Sequence, residues 1–479
     1  MGRKKSECPC IAKNIMSDSH LMPNQLIRRR VEIVFAGLTL LFCLLLISSA
    51  FPGGFSKDAA SMYSGGVSGK YDSNNSPFLS TLWGLMHSIS GGPGGFLVAQ
   101  QSLIWTGFFL CAVAFSRHFG PWNVLILLSG LSPQIITIST HLWKDVHLGA
   151  SLLFSAGLLA LVEARRRAPG KLANMLVLFA LAYASMCRVN ALFAVLPLAA
   201  WWCQQNFETK LSGQHVIRRI FVLTTVGVVT TLIITFGTTF ILGYIITISD
   251  HDQPSKMLVG DIGQIYVTTG INYFPDGNAP ATREEFSKLI TRFSTPVRRT
   301  IPKWDKPERG QLFSAWLEAI WNHPGTYLSF RIDRMKMLMG LDGPREQRGS
   351  KLKFGFWAPV NKHNVQFVPN RLTRLHERYV GYFARTLVVK AWPWVLVCIL
   401  CSFHMVYQLR RKVNVFDKIR LFLGLSALAY LLPYFVIAPA ASYRYIFWPI
   451  VVGTVLFASY LAQLLSLFTR FSRSRENSA

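Results

Sequence analysis

The sequence predicts an all-α polytopic membrane protein with about ten transmembrane helices and a mainly helical extramembrane domain. Three observations predict it. Apolar runs of about 20 residues, the length that crosses a bilayer, recur from end to end. Only 15% of the residues are charged, where a soluble globule averages about 25%. The cations are also unevenly placed. The net charge of +27 would suit a soluble nucleic-acid binder, but the apolar runs exclude one, and 51% apolar content excludes a disordered chain.

The spans read as Ile33–Phe51, Gly95–Phe115, Pro121–Thr140, His147–Ala164, Leu172–Met186, Ala191–Gln205, Ile220–Ile246, Leu387–Leu409, Leu421–Ile437 and Ile446–Phe468. The fifth and sixth are short and separated only by Cys187–Asn190, so they form a hairpin that barely crosses. If the basic N-terminus (1–32) is cytoplasmic, the connections alternate in side. The inner ones then carry 23 Lys and Arg, against five on the short outer ones: Lys57, Lys70, Lys144, Arg188 and Arg444. This positive-inside bias orients the chain. The organisation that follows is spans one to seven over 33–249, with a first outer loop at 52–94. An outer domain occupies 250–386, spans eight to ten occupy 387–468, and a short inner tail covers 469–479. Long outer domains cross regardless of charge, so the 21 Lys and Arg of the outer segment do not weigh against this orientation. Weak helical patterns fall at Arg283–Phe293, Gln311–Asn322 and Tyr327–Leu341.

The outer domain contains no cysteine, so it has no disulfide. Cys8-Pro-Cys10 reads as a reducing-side tail pair rather than a metal or lipid site. The first apolar run is a full span, so the N-terminus is not a cleavable signal. Ser90-Gly-Gly-Pro-Gly-Gly95 lacks the spacing of a phosphate-binding loop and reads as a turn.

Ionisable residues at a membrane are expensive and therefore informative. With alternating sides, Lys57-Asp58, His141-Leu-Trp-Lys144-Asp145, Arg188-Val-Asn190 and Tyr443-Arg444-Tyr445 all reach the outer surface, each flanked by apolar sequence. Cations, two carboxylates and aromatics on one face suit an anionic headgroup, because Arg grips phosphate in a two-point fork and Lys acts as a point charge. Each loop taken singly fits an ordinary interfacial anchor better, and it is the four on one side that shift the balance toward a site. Asp58 follows Phe51-Pro-Gly-Gly-Phe-Ser-Lys, a turn-rich exit from the first span, and Ala59–Val67 fits a short interfacial helix. The stretch then continues through Tyr71-Asp-Ser-Asn-Asn-Ser-Pro77 to an apolar run, Phe78–Leu85.

In that order the motifs resemble the polytopic, lipid-phosphate-sugar-dependent glycosyltransferases of the GT-C fold. The matching features are Pro-Gly, Asp, Tyr and Pro after span one, Trp143-Lys-Asp145, Arg188-Val-Asn190, His323-Pro324 and Tyr443-Arg-Tyr445. Size, outer domain and basic inner loops are similar to the phage and bacterial enzymes that glucosylate O-antigen and change serotype. One departure is Asn75-Ser76-Pro77, where many relatives have His-Pro.

The resemblance implies an inverting transferase that uses no metal and no cofactor. The donor would be a polyprenyl-phosphate sugar, most simply glucose, and the acceptor a lipopolysaccharide or other lipid-linked glycan. It implies Asp58 as the general base, with Asp145 the second choice. Lys144, Arg188 and Arg444 would hold the departing phosphate, Asn190, Tyr443 and Tyr445 would line the site, and Asp261 would sit on the acceptor side. It also implies a bacterial inner membrane with both termini cytoplasmic and the active site periplasmic. A carrier-charging enzyme and a flippase would supply the donor.

Asp250-His-Asp252 has the acidic pattern of a metal motif, but it equally marks the end of a span. Trp304, Trp316, Trp321 and Trp357 could stack on sugars or fill the core. A lipid-linked-oligosaccharide flippase would also need cations near a headgroup, but transporters place ionisable groups near the midplane. A non-catalytic partner of another transferase is the third class.

Overall fold

The computed structural model describes residues 21–476 except 74, 167, 189, 208–215, 246–247, 250–252, 278, 291–305, 342–364, 366, 410–414 and 438–441. Cys8, Cys10, Asp250, His251, Asp252, Trp304 and Trp357 lie outside these residues. Regular structure in the described chain is helical, apart from the single bridge Gly54–His141 and a two-residue parallel pairing that sets Tyr71 opposite Ile248 and Asp72 opposite Ser249.

Every apolar run is helical. Among the described residues, five helices are long and apolar enough to cross a membrane: Arg28–Ala50, Gly94–Arg117, Lys144–Arg165, Val415–Val436 and Tyr443–Ser472, the last including the short turn Tyr443–Ile446. Shorter helices, Lys171–Cys187, Ala191–Phe207 and Trp392–Leu409, cover the fifth, sixth and eighth runs, and the 30-residue helix Val216–Ile245 covers the seventh. The third run differs from its expectation as one continuous span. Gly120–Ser129 and Pro133–Ser139 meet at a 54° bend, which brings the total to six if the pair is counted as one span. The cause is local: Gly130-Leu-Ser-Pro133 interrupts the helix, and Pro133 starts the second piece at a position that needs no N–H.

Numbered by their order among the described helices, four of them are α1 (Leu21–Ala50), α2 (Lys57–Ser68), α3 (Pro77–Ser90) and α15 (Arg371–Phe383). One apolar core runs through the bundle, with Trp83, Trp105, Trp201 and Trp448 fully buried. The outside of the bundle is apolar as well. On α1 alone, Ile33, Val34, Leu40, Leu41, Leu44 and Leu45 are exposed. A continuous exposed apolar stripe of this kind needs lipid.

A second, smaller core binds the helices Gln253–Thr269, Arg283–Ile290 and Lys306–Asn322 through Leu258, Val259, Ile262, Phe274, Phe286 and Leu312. Two of the three weak helical patterns fall on Arg283–Ile290 and Lys306–Asn322, and the third on Pro324–Met339. The helices Gln253–Thr269 and α15 carry no comparable signal in the sequence.

Three close approaches hold the segment between α1 and the end of α3 in place. Gly54 bridges to His141: its N–H donates to the Thr140 carbonyl (2.9 Å), and the Leu142 N–H donates back to Gly54 (3.0 Å). A Cβ at Gly54 would lie 2.6 Å from the His141 ring. Gly66 of α2 and Gly84 of α3 face each other so closely that a Cβ on Gly84 would lie 2.3 Å from the Gly66 carbonyl oxygen. Ser76 accepts the Leu79 N–H at the start of α3 and donates to the Met186 carbonyl (2.7 Å), so the Asn75-Ser76-Pro77 segment caps a helix and ties it to the end of Lys171–Cys187.

Helix α15 lies across the end of α1. Its first residues form a capping box between Asn370 and Thr373. The same two side chains donate to the Ser48 and Ser49 carbonyls (2.7 Å each), which belong to the last turn of α1 and have no partner within it. His376 Nδ1 sits 3.2 Å from Ser49 Oγ, and Tyr379 donates to the Leu131 carbonyl (3.0 Å) at the bend. One helix therefore satisfies both a helix end and a helix break. Burial, with the like charge of His141 added, brings the His376 pKa down to about 4.

Two predictions follow from these contacts. Gly84→Val should push α2 away from α3 and cost about 1–3 kcal/mol, as overpacking does. Thermal unfolding in detergent reads this, and Gly92→Ala, where a Cβ meets nothing, should leave the midpoint unchanged. Lowering the pH from neutral toward 4 should lower stability. Between the unfolded histidine pKa of about 6.5 and the folded value, the unfolded chain binds the extra proton. His376→Gln should flatten that decline; an unchanged slope would count against it.

Candidate functional site

Four separate connections converge at one end of the bundle. Asp58 stands in the first turn of α2, whose N-cap Ser56 accepts the Ala59 N–H (3.2 Å). Asp145 stands in the first turn of Lys144–Arg165. Both carboxylates therefore stand at the positive end of a helix dipole. Arg188 follows the last residue of Lys171–Cys187, in extended conformation. Arg444 lies in the turn Tyr443–Ile446, just before the last long helix.

The charges interlock. Arg188 Nη1 bonds Asp145 Oδ1. Arg444 reaches the other oxygen of the same carboxylate (Nε to Oδ2, 3.5 Å) and donates through Nη2 to Asp58 Oδ2 (2.5 Å). Lys144 is within electrostatic reach of Arg188, Asp145, Arg444 and Asp58. The Asp145 side chain is fully buried, whereas Asp58 is one-third exposed. Asp145 thus lies behind the two arginines, and Asp58 lies in front. Burial alone would weaken the hold of Arg188 on its proton. The adjacent Asp145 carboxylate more than offsets this and holds its pKa above the ordinary value.

Aromatic rings fix the guanidinium groups. Arg188 lies 4.5 Å from the Tyr445 ring centroid and 5.8 Å from that of Tyr434, and the two rings are themselves stacked. Tyr430 extends the set through its hydroxyl, 3.1 Å from that of Tyr434. Arg444 lies 5.3 Å from the Trp143 ring, and Trp143 Nε1 donates to Ser56 (2.9 Å), joining the Asp58 loop to the Asp145 loop. Such cation–π contacts are worth about 0.5–2 kcal/mol and restrict the direction of the donors.

Of the residues singled out from sequence, Asp58, Lys144, Asp145, Arg188, Arg444 and Tyr445 come together. Asn190 is buried beside them, close to Tyr434. Tyr443 turns away and donates to the Val389 carbonyl, so it anchors the turn.

Asp261 belongs to a second cluster. It is buried in Gln253–Thr269, ion-paired to Arg331, and accepts the Trp316 Nε1 hydrogen bond (3.0 Å). Tyr327 stands against Arg331 and donates to the Val436 carbonyl (3.5 Å), two residues from Tyr434, so the clusters flank the same end of Val415–Ile437. Trp316 is thus a hydrogen-bonded core residue, while Trp321 is exposed. His323 sits before Pro324 with its Nε2 3.1 Å from the Tyr273 hydroxyl.

Sequence reasoning missed Tyr430 and Tyr434. The available signal was a pair of tyrosines four residues apart inside an otherwise apolar span, which places both hydroxyls on one face. Among the described residues no group of three or more His, Cys, Asp or Glu is placed to hold a metal ion.

No protein-family model matches the chain, and no curated protein matches it. Among solved structures it is similar to ArnT from Cupriavidus metallidurans, crystallised bound to undecaprenyl phosphate. The identity is 14% and the TM-score 0.32, with 88% of this chain and 77% of that one covered. A likeness of that size carries no structural argument; the multi-span helical architecture stands on the helices themselves.

Removing the buried carboxylate tests the cluster. Asp145→Asn leaves two guanidinium groups without their shared counter-charge, at a cost of roughly 3–5 kcal/mol. The expected reading is a lowered thermal midpoint, larger than that of Asp58→Asn, since Asp58 is the more exposed partner.

Proposed function

We propose that the chain is an integral-membrane, inverting glycosyltransferase that takes a sugar from a polyprenyl-phosphate carrier. The sugar is glucose, and the acceptor is a lipopolysaccharide O-antigen or another lipid-linked glycan on the periplasmic side of a bacterial inner membrane. A carrier-charging transferase and a flippase supply the donor. The observation that carries this reading is the cluster itself: three cations against two carboxylates, at the ends of helices, with one carboxylate within reach of a substrate. The excess of one positive charge suits a phosphodiester, which carries one negative charge.

The chemistry follows from the layout. The acceptor hydroxyl oxygen attacks the anomeric carbon as the bond from that carbon to the phosphate oxygen breaks. The electron pair stays on the carrier phosphate, and the hydroxyl proton passes to Asp58. No acid is needed for the leaving group, because a phosphate departs without protonation where a sugar alkoxide does not. Charge grows on the phosphate during the step, and Lys144, Arg188 and Arg444 stabilise it most where it is greatest.

Asp145, the second choice for base from sequence, is fully buried, bonded by Arg188 at one oxygen and 3.5 Å from Arg444 Nε at the other, so its part here is to aim those arginines. The end-of-helix position of the cluster also favours a transferase over a transporter, which holds its ionisable groups near the midplane.

Purified protein alone should transfer sugar from a synthetic polyprenyl-phosphate sugar to a lipid-linked acceptor, as a non-catalytic partner would not. Asp58→Asn should lower the rate by roughly 10²–10⁴-fold, the usual worth of a general base, with unchanged expression and membrane insertion. Full activity in that variant would remove Asp58 from the role.

A further inference from the structure

Helix α15 has three faces. Thr373, His376 and Val380 are buried against α1 and the bend after Ser129. At about 100° per residue, Leu375, Tyr379 and Tyr382 fall together on one outward flank, beside the half-buried Leu372 and Phe383. Arg371, Arg374 and Arg378 fall on the adjoining flank, all exposed, with Glu377 beyond them. Leu375 is 64% exposed and Tyr382 81%, a costly arrangement for a helix surrounded by water.

The level of this helix is set by its contacts. Asn370 and Thr373 hold the last-turn carbonyls of α1, directly where the exposed apolar stripe of α1 ends. Phe51, at that same end, is also exposed, as are Val368 and Leu387 on either side of α15. A helix fixed at the end of a lipid-facing span lies at the depth of the headgroups. There an apolar flank meets acyl chains and a basic flank meets phosphates.

We infer that α15 is an interfacial helix that docks on the anionic phospholipids of the bilayer the chain spans. Leu375, Tyr379 and Tyr382 enter the acyl boundary, and Arg371, Arg374 and Arg378 pair with headgroup phosphates. The consequence reaches the bundle, because α15 also closes the end of α1 and the bend at Leu131, so lipid on its outer flank steadies the outer end of the first and third runs. This surface is separate from the Asp58 and Asp145 cluster and does not depend on the reaction proposed for it.

The test uses the full chain with Cys8→Ser and Cys10→Ser, reconstituted in phosphatidylcholine vesicles with and without phosphatidylglycerol. Spin labels at Leu375→Cys and Tyr382→Cys should be relaxed by lipid-soluble oxygen. A label at Glu377→Cys should be relaxed by an aqueous nickel reagent. Equal access of the nickel reagent to all three would overturn the placement. In mixed lipid, the preference of the protein for retained phosphatidylglycerol over phosphatidylcholine should fall about fivefold for each arginine removed in the series Arg371→Gln, Arg374→Gln, Arg378→Gln. An unchanged preference in the triple variant would overturn the anionic assignment even if the labels report lipid.

Discussion

The Asp145 carboxylate, buried between Arg188 and Arg444, is the interaction on which the rest of this end of the molecule depends. A charge taken out of water costs several kcal/mol unless it is paired and aligned. Here the alignment requires three distant segments to meet: the start of Lys144–Arg165, the end of Lys171–Cys187, and the turn Tyr443–Ile446. Arg444 then extends the network to a fourth segment through Asp58. Removing the first link would leave the others misaligned as well as weakened.

The loop that carries Asp58 has its own constraints, and they are steric rather than electrostatic. Gly54 lets the backbone lie against His141, and Gly66 and Gly84 let α2 and α3 touch. Trp143 joins the two kinds of constraint, since its indole N–H holds Ser56 while its ring faces Arg444. A carboxylate presented on so short a tether keeps a fixed position relative to the guanidinium groups. The transfer proposed above needs that fixity, since proton transfer and phosphate binding would share one centre.

Much of this was legible in the sequence, and the limits have physical causes. Apolar runs located the helices, because a bilayer admits few alternatives for a span. Trp143-Lys-Asp145, Arg188-Val-Asn190 and Tyr443-Arg-Tyr445 were visible as charges beside apolar sequence, which is where such residues are costly. Which arginine met which carboxylate was not visible, since pairings between segments 43 to 386 residues apart follow from packing. Asp261 looked similar in type but belongs to the Arg331 cluster, a difference that only tertiary contact reveals. The bend after Ser129 was signalled by Gly130 and Pro133 but obscured by the apolar run around them. Helix α15 was hidden for the opposite reason: its many charges read as a polar segment until its three faces are seen against α1.

The most direct test of the central claim is the anomeric configuration of the product. Purified protein would be given a polyprenyl-phosphate glucose of defined anomer and a lipid-linked acceptor, and the new linkage would be read by NMR. A single displacement assisted by one reachable carboxylate predicts a product of opposite anomeric configuration to the donor. A product of retained configuration, or no transfer by the intact protein, would contradict it.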